Sequence, residues 1–152
     1  MGADDRLREL RIELPEAPAP IASYVPVVVT GKLAFVSGQI AAESGTPMWS
    51  GKLGRDLDIE TGAQAARRCA LQVLAALKAE IGSLNAVRRI VKVTVFVASD
   101  QSFTDQSKVA NGASDLFLEL FGDAGYHARA AVGVAELPLG APVEVEMIAE
   151  IA

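Results

Sequence analysis

Residues 58–97, DIETGAQAARRCALQVLAALKAEIGSLNAVRRIVKVTVFV, join a helical pattern to a strand pattern and decide the fold class. In the first half, apolar residues recur in steps of three and four, which is the spacing of one buried helix face. Asp58 is a suitable N-cap, and Gly82 is a suitable residue to end the helix. The pattern therefore predicts a long helix from Asp58 to about Ile81.

The second half of this stretch predicts a strand over Ile90–Val97. Side chains alternate between the two faces of a strand, so every second residue points the same way. One face carries only valines, at positions 91, 93, 95 and 97, and the other is mixed: Ile90, Lys92, Thr94 and Phe96. We expect a helix to cover the valine face, and the mixed face to be partly wet or an oligomer interface.

The segments on either side supply a hairpin and a second helix. Two short β-type runs, residues 25–30 and 33–37, flank a glycine and predict a tight hairpin. Thr104 or Asp105 can cap a second helix that ends near Phe121, where a glycine follows.

Two further strands follow, over Arg129–Glu136 and Val143–Ile151, and we expect them to pair as a hairpin centred near Gly140. The element order is β-β-α-β-α-β-β, which predicts an α+β fold: a single-layer sheet with two helices on one face. The opposite sheet face carries apolar side chains among its polar ones, namely Ile90, Phe96 and Ile148. We expect that face to meet other copies of the chain.

The chain has 152 residues, which suits one domain, with residues 1–20 as an N-terminal arm. Asp4–Ile12 can form one or two helical turns, and the prolines at 15, 18 and 20 then impose extended backbone. Trp49 lies in a loop rich in glycine, from Ala41 to Leu57. It is either a plug over the core or a lid over a ligand.

Composition excludes several classes of function. The net charge is −5, and the basic clusters that hold nucleic-acid phosphates are missing. One cysteine and one histidine cannot build a disulfide framework or a multi-ligand metal site. No apolar run is long enough to span a membrane, and the charged N-terminal residues do not resemble a signal peptide. We expect a cytoplasmic protein.

Few residues are candidates for chemistry from spacing alone. The charged residues within predicted strands are the first choice: Lys92, Arg129, Glu144 and Glu146. Cys69 lies beside the apolar face of the first helix, so we expect it to pack rather than react. His127 lies two residues before Arg129 and on the same side of the strand. It either tunes the pH dependence or contacts a ligand, or it lies at the surface or at an interface.

A set of short motifs, in this order, spans nearly the whole chain: Tyr24, Ser37-Gly38-Gln39, Asn111, Ala128-Arg129, Glu136-Leu-Pro-Leu-Gly140 and Val143-Glu-Val-Glu146. The chain resembles the Rid/YjgF family, the reactive intermediate deaminases once named L-PSP endoribonucleases. The resemblance implies a chorismate mutase-like domain that assembles as a homotrimer around a central barrel. It also implies sites in the clefts between subunits, a small carboxylate or imino acid as substrate, and no metal or cofactor.

The resemblance also assigns roles to individual residues. Arg129 matches an arginine that clamps a substrate carboxylate, and Glu144 matches a glutamate beside a catalytic water. Besides Arg129, five further residues are expected to bind the substrate: Tyr24, Ser37, Gly38, Asn111 and Ala131. Glu146 is expected to form a structural ion pair.

The predicted hairpin would place Arg129 and Glu144 more than ~20 Å apart within one chain. They can then share a site only if neighbouring subunits each supply one of them. The implied reaction is hydrolysis of 2-imino or enamine acids to 2-keto acids. Three small residues beside the arginine, Ala130, Ala131 and Gly133, depart from the family pattern and favour an alternative, a non-catalytic protein that binds small carboxylates. The low pI and single histidine disfavour RNA cleavage.

Overall fold

The computed structural model describes residues 2–19 and 23–152 and has an α+β fold. A five-stranded mixed sheet runs in the order β1-β2-β7-β5-β6, beside a small two-stranded sheet of β3 and β4. The helices and strands in chain order are α1 (Ala3–Glu9), β1 (Val27–Thr30), β2 (Leu33–Ile40), β3 (Ala42–Glu43), β4 (Thr46–Pro47), α2 (Ile59–Ile81), β5 (Val87–Ala98), α3 (Gln106–Phe121), β6 (Ala128–Val134) and β7 (Val143–Ile151).

The prediction of the long helix is confirmed at both ends. The Asp58 carboxylate accepts a hydrogen bond of 2.8 Å from the backbone N–H of Thr61, and Gly82 ends α2 with a φ of +90°. Helix α2 lies on β2 and β7, while α3 lies beside it, on β5 and β6. The fully buried valines of β5 face these helices, so the core lies between the helix layer and the sheet.

The predicted hairpin around Gly140 is wrong. Strand β6 pairs in parallel with β5, and β5 lies between β6 and β7. The connection contains a 3₁₀ turn, Pro138–Gly140, in which Leu139 has a φ of +59°. It carries the chain past the end of β5. A Pro- and Gly-rich turn is equally compatible with pairing and with crossing a neighbouring strand, so the local sequence could not separate the two.

The N-terminal end of β5 also departs from simple alternation. The pairing of β5 with β7 shifts register between Ile90 and Lys92, which marks a β-bulge. Ile90 is therefore fully buried, opposite Ala149, and Val91 is half-buried. The predicted placement of Ile90 on the uncovered face is wrong, because the extra residue reverses the alternation there.

The sheet face away from the helices is not covered by the described residues of this chain. It carries a groove of about 210 Å³, lined by polar and apolar side chains that include Phe35, Ser37, Lys92, Glu146 and Ile148. Trp49 is half-buried and packs against the core, as expected for a plug. None of the helices in the described part of the chain combines the length and the apolar character of a membrane span.

The N-terminal arm is fixed through Asp4 in α1. Its carboxylate accepts hydrogen bonds from Lys78 Nζ at 3.1 Å, Ser83 Oγ at 2.6 Å and the backbone N–H of Leu84 at 3.1 Å. Burial opposes ionisation, but these hydrogen bonds outweigh it and hold the pKa of Asp4 below its usual value. Pro20 of the predicted arm lies outside the described residues.

Candidate functional site

Arg129 lies on the edge strand β6 and extends toward α3. Its register partner is Val93, whose side chain is buried beneath the helices, so Arg129 is on the helix side of the sheet. Its Nη1 donates hydrogen bonds to Asn111 Oδ1 at 2.9 Å and to Ser114 Oγ at 3.1 Å. The structure thus brings together two predicted site residues, Arg129 and Asn111.

Two more residues complete this group: His127, which alternation along the strand predicted on the same side as Arg129, and Ser114, which was not predicted. Nε2 of His127 lies 2.9 Å from Ser114 Oγ, and Nδ1 lies 2.6 Å from the carbonyl oxygen of Gly125. Ser114 follows Asn111 by three residues, so both lie on the α3 face nearest β6. The spacing of three residues from Asn111 is the feature of the sequence that could have predicted Ser114 as a site residue. We name Asn111, Ser114, His127 and Arg129 the arginine cluster.

The arginine cluster leaves one edge of the guanidinium open. The two hydrogens of Nη1 are used by Asn111 and Ser114. Within residues 2–19 and 23–152, Nε and Nη2 of Arg129 have no hydrogen-bond or ion-pair partner. The open edge has two parallel N–H donors, the arrangement that matches a carboxylate.

Glu144 lies on β7, with its side chain on the open face of the sheet, in register with Phe96 and Ile40. The β2–β7 register shifts between Val36 and Gln39, so Ser37 and Gly38 form a bulge beside Glu144. A Cβ on Gly38 would lie 2.9 Å from Cδ of Glu144, so only glycine leaves room for the carboxylate in this position. The Ser37-Gly38 motif pointed to both residues as site candidates but did not predict the packing of Gly38 against Glu144.

The pKa of the Glu144 carboxyl group is raised above its usual value. Burial raises its pKa, and the charge of Glu146, two residues along the same face, raises it further. The predicted ion pair of Glu146 is not found among the described residues. We name Ser37, Gly38, Glu144 and Glu146 the glutamate cluster.

Tyr24 immediately precedes a residue that is hydrogen-bonded to the glutamate cluster. Ser37 Oγ donates a hydrogen bond of 2.9 Å to the carbonyl oxygen of Val25, which fixes the segment beside Tyr24 onto β2. Tyr24 itself is 57% exposed, so its ring is available at the surface rather than packed in the core.

The two clusters lie on opposite faces of the sheet within one chain. Arg129 is in register with Val93 and so with Met147, three residues along β7 from Glu144. Two strand spacings and three residues correspond to about 14 Å between their Cα atoms. This replaces the separation of more than 20 Å, which rested on the wrong hairpin. One chain does not bring the arginine and the glutamate into a single pocket.

The residues that follow Arg129 on the same face are small for two different reasons. Ala131 is half-buried and packs against the hydrophobic core. A Cβ on Gly133 would lie 2.8 Å from Nε2 of Gln106, so the Gln106 amide occupies that space. This amide donates hydrogen bonds to Ser99 Oγ at 3.2 Å and to the Phe103 carbonyl oxygen at 2.8 Å.

Cys69 has a packing role, as expected. It is fully buried beneath β7, and its Sγ lies 3.4 Å from the Val143 carbonyl oxygen, to which the thiol donates. Burial raises the pKa of the Cys69 thiol, so it stays protonated and unreactive. In the described ranges, no three His, Cys, Asp or Glu residues converge in a way that could hold a metal ion.

Comparisons with known proteins cover almost the whole chain. The family model described as endoribonuclease L-PSP matches residues 14–151. Protein TCP17 of Trypanosoma cruzi is 50% identical over 146 residues, which are 95% of this chain and 91% of that protein. The 2-iminobutanoate/2-iminopropanoate deaminase of Dermatophagoides farinae is 33% identical over 138 residues, 90% of this chain and 92% of that protein.

A solved structure matches the fold closely. The crystal structure of Atu1372 from Agrobacterium tumefaciens, a protein of unknown function, has a TM-score of 0.91 and 45% sequence identity. The match covers 99% of this chain and 92% of Atu1372. Together with the family match and the deaminase relative, it shows that the chain belongs to the Rid/YjgF/L-PSP family.

Proposed function

We propose that this protein hydrolyses reactive 2-imino acids and their enamine tautomers to 2-keto acids and ammonia. A water oxygen attacks the imine carbon of R–C(=NH)–COO⁻, and one water proton passes to a base. The nitrogen of the resulting intermediate is protonated and leaves as ammonia, so imino acid plus water gives keto acid plus ammonia. The proposal includes no metal or cofactor, because the C=N carbon is already electrophilic.

The observation that carries this proposal is that the Arg129 guanidinium is hydrogen-bonded on one side and open to a ligand on the other. Asn111 and Ser114 hold Nη1, and the Nε and Nη2 edge remains for a ligand. A 2-imino acid has a carboxylate directly attached to its reacting carbon. Two parallel hydrogen bonds to that carboxylate would therefore also fix the position and orientation of the carbon.

Glu144 is the base in this proposal. Its carboxylate is half-buried, and burial together with Glu146 raises its pKa. A raised pKa makes a carboxylate a better proton acceptor, as long as it remains ionised at the working pH. Gly38 keeps the space beside it open, and Ser37, in the same bulge, and Tyr24 are the proposed substrate-binding residues on this side.

The proposed site is shared between copies of the chain, because one chain places Arg129 and Glu144 on opposite faces of its sheet. We infer a homotrimer of chorismate mutase-like domains, with the open sheet faces turned inward around a central barrel. The open face suits this role, since Phe35 on it is 40% exposed. Light scattering tests the assembly: a mass of three chains is expected, and a monomer would rule out the shared site.

The experiment for the activity is direct imine hydrolysis. An amino-acid oxidase generates 2-imino acids from a panel of amino acids, and semicarbazide traps the imine that survives. The wild-type protein should reduce trapping, whereas Arg129→Ala and Glu144→Gln should not. If the wild-type protein accelerates the loss of no imine on the panel, the deaminase proposal fails for that substrate class.

Mixed oligomers test whether the site is shared. Arg129→Ala and Glu144→Gln should each be inactive alone, and co-expression of the two should restore about a quarter of the wild-type activity. In a random cyclic assembly, each site has one chance in four of pairing an intact arginine with an intact glutamate from its neighbour. Failure to regain activity in oligomers shown to be mixed would rule out a site that combines Arg129 of one subunit with Glu144 of its neighbour.

A second candidate function is a non-catalytic protein that binds small carboxylates in the same cleft. It is favoured by Ala131, which packs on the core, and by Gly133, whose space holds Gln106. Tight binding of a keto acid without turnover of any imine would support it. We place either function in the cytoplasm.

A further inference from the structure

We propose that His127, acting through Ser114, is a positioning residue that sets the orientation of the Arg129 guanidinium. Its consequence for ligands rests on the proposed carboxylate clamp, whereas the positioning itself does not. The inference starts from the direction of each hydrogen bond in the arginine cluster. Those directions follow from which atoms can donate and which can only accept.

The histidine end of the chain of hydrogen bonds has a defined tautomer. Nδ1 of His127 lies 2.6 Å from the carbonyl oxygen of Gly125, and a carbonyl oxygen can only accept. The proton of the neutral ring is therefore on Nδ1. Nε2 then carries a lone pair and acts as an acceptor toward Ser114.

The arginine end fixes the direction of the remaining bond. A guanidinium can only donate, so Ser114 Oγ accepts from Nη1 of Arg129 at 3.1 Å. The hydroxyl hydrogen of Ser114 is then free to point at Nε2 of His127, 2.9 Å away. The bonds run in one direction, from Arg129 to Ser114 to His127 to the Gly125 carbonyl.

The surroundings hold this relay in place. Ser114 is only 9% exposed, so water has little access to replace the histidine as the acceptor of its hydroxyl. The His127 ring stands edge-on to Phe117, with ring centroids 5.8 Å apart and an angle of 90° between the planes. Packing thus fixes the ring, the ring orients the hydroxyl, and the hydroxyl fixes one of the two hydrogens of Nη1.

Two substitutions separate the two hydrogen bonds of the histidine. His127→Asn keeps an amide N–H near the position of Nδ1, so the bond to Gly125 can remain while the acceptor for Ser114 is lost. His127→Gln places an amide oxygen near the position of Nε2, so it can accept from Ser114. The pair therefore distinguishes a role in the turn at Gly125 from a role toward Arg129.

Crystal structures of the two variants and one NMR measurement test the positioning without reference to activity. In His127→Asn we expect Nη1 of Arg129 to leave Ser114, and in His127→Gln we expect it to stay. The chain has a single histidine, so its ring ¹⁵N shifts are assigned without ambiguity. They should report a protonated Nδ1 and an unprotonated Nε2 in the wild-type protein. An unmoved Arg129 in His127→Asn, or a protonated Nε2 in the neutral ring, would overturn the proposal.

Pyruvate, a simple 2-keto acid, serves as the probe for the consequence. The Kd for pyruvate should rise roughly tenfold in His127→Asn and in Ser114→Ala, and stay within about threefold of wild type in His127→Gln. Equal losses in the Asn and Gln variants would reduce His127 to a structural role. If the wild-type protein and Arg129→Ala bind pyruvate equally poorly, the carboxylate clamp fails, and the crystal structures alone then decide the positioning.

Discussion

The arginine cluster and the glutamate cluster differ in how their surroundings treat the charged group. Nη1 of Arg129 is held by two hydrogen bonds, and the serine that accepts one of them is itself bonded to a fixed histidine. Glu144 instead lies half-buried beside another carboxylate, with no ion pair among the described residues, and its pKa is raised. The arginine cluster fixes the position of a positive charge, whereas the glutamate cluster disfavours the ionised form of Glu144.

This difference matches two different tasks. A group that binds a ligand benefits from being oriented in advance, because less conformational freedom is lost on binding. A group that takes up a proton benefits from an environment that disfavours its ionised form. The contrast predicts that substitutions near Arg129 act on ligand affinity, whereas substitutions near Glu144 act on the pH dependence and the rate.

The largest effect should come from Arg129 itself. Arg129→Ala should lower kcat/KM for imine hydrolysis by at least about 10²-fold, and Arg129→Lys should recover only a minor part of it. Lysine restores the positive charge but not the two parallel donors. Steady-state kinetics with trapped imine measures both variants. Full recovery by lysine would mean that charge alone, and not the fork, is needed.

A smaller loss should follow from filling the space beside Glu144. In Gly38→Ala the new Cβ would lie 2.9 Å from Cδ of Glu144, so the flexible carboxylate should move. We expect activity to fall by roughly 10-fold or more, because a shift of about 1 Å in a reacting group can cost up to ~10²-fold. Thermal unfolding should change little.

Gly133→Ala is the matched control near the arginine cluster. The new Cβ would lie 2.8 Å from Nε2 of Gln106, which is also the end of a flexible side chain. Because Gln106 has no role in the proposed chemistry, activity should fall by less than about threefold. Equal losses in the two alanine variants would remove the special role of the Glu144 carboxylate.

The pH dependence of the activity should depend on the environment of Glu144. Glu144 must be ionised to accept a proton, so activity should be lost as the pH falls through its raised pKa. Glu146→Gln removes the second cause of the raised pKa, so the acid limb should move to lower pH. Burial, the larger cause, remains, and the limb should stay above that of an ordinary glutamate. Glu150→Gln, farther along the same strand face, should leave the limb unchanged.

The smallest effect on activity is expected at Cys69, beneath β7. Its thiol is fully buried and its pKa is raised, so it has no part in the proposed reaction. Cys69→Ala should leave kcat/KM unchanged and lower the free energy of unfolding by about 1 kcal/mol, the cost of a small cavity. Chemical denaturation measures the cost. Loss of activity without loss of stability would assign the thiol a role that burial argues against.

The ends of α2 and the first hairpin could be predicted from the sequence, because caps and turns depend on residues that are close together in the chain. The α2 helix begins and ends where its cap residues predicted, and the first hairpin forms around Gly31 with a φ of +58°. Four of the predicted site residues form two pairs in the structure, and Ala131 belongs to neither pair. Asn111 joins Arg129 through a hydrogen bond, Gly38 packs against Glu144, and Ala131 packs on the core.

The bulge in β5, the position of β6 and the His127–Ser114 contact could not be predicted, because they depend on contacts between segments far apart in the sequence. The bulge that buries Ile90 depends on how β5 pairs with β7, and the position of β6 depends on which edge of β5 it reaches. His127 and Ser114 are 13 residues apart and meet only because α3 packs against the start of β6. No periodicity or cap within either segment encodes that contact.

The amino-acid sequence alone was enough to predict the main helices and strands, the ends of α2, the motifs that carry the family resemblance and the residues that could carry chemistry. These follow from backbone geometry, capping and side-chain type, which act within a few residues. The sequence did not predict β3 and β4, which lie in the stretch expected to be a loop. The strand order, and with it the face on which each charged side chain lies, became known only from the folded chain. Strand pairing is a contact between distant segments, and one change of neighbour or register moves a side chain to the other face of the sheet. For this protein, the strand order separates Arg129 from Glu144 within one chain.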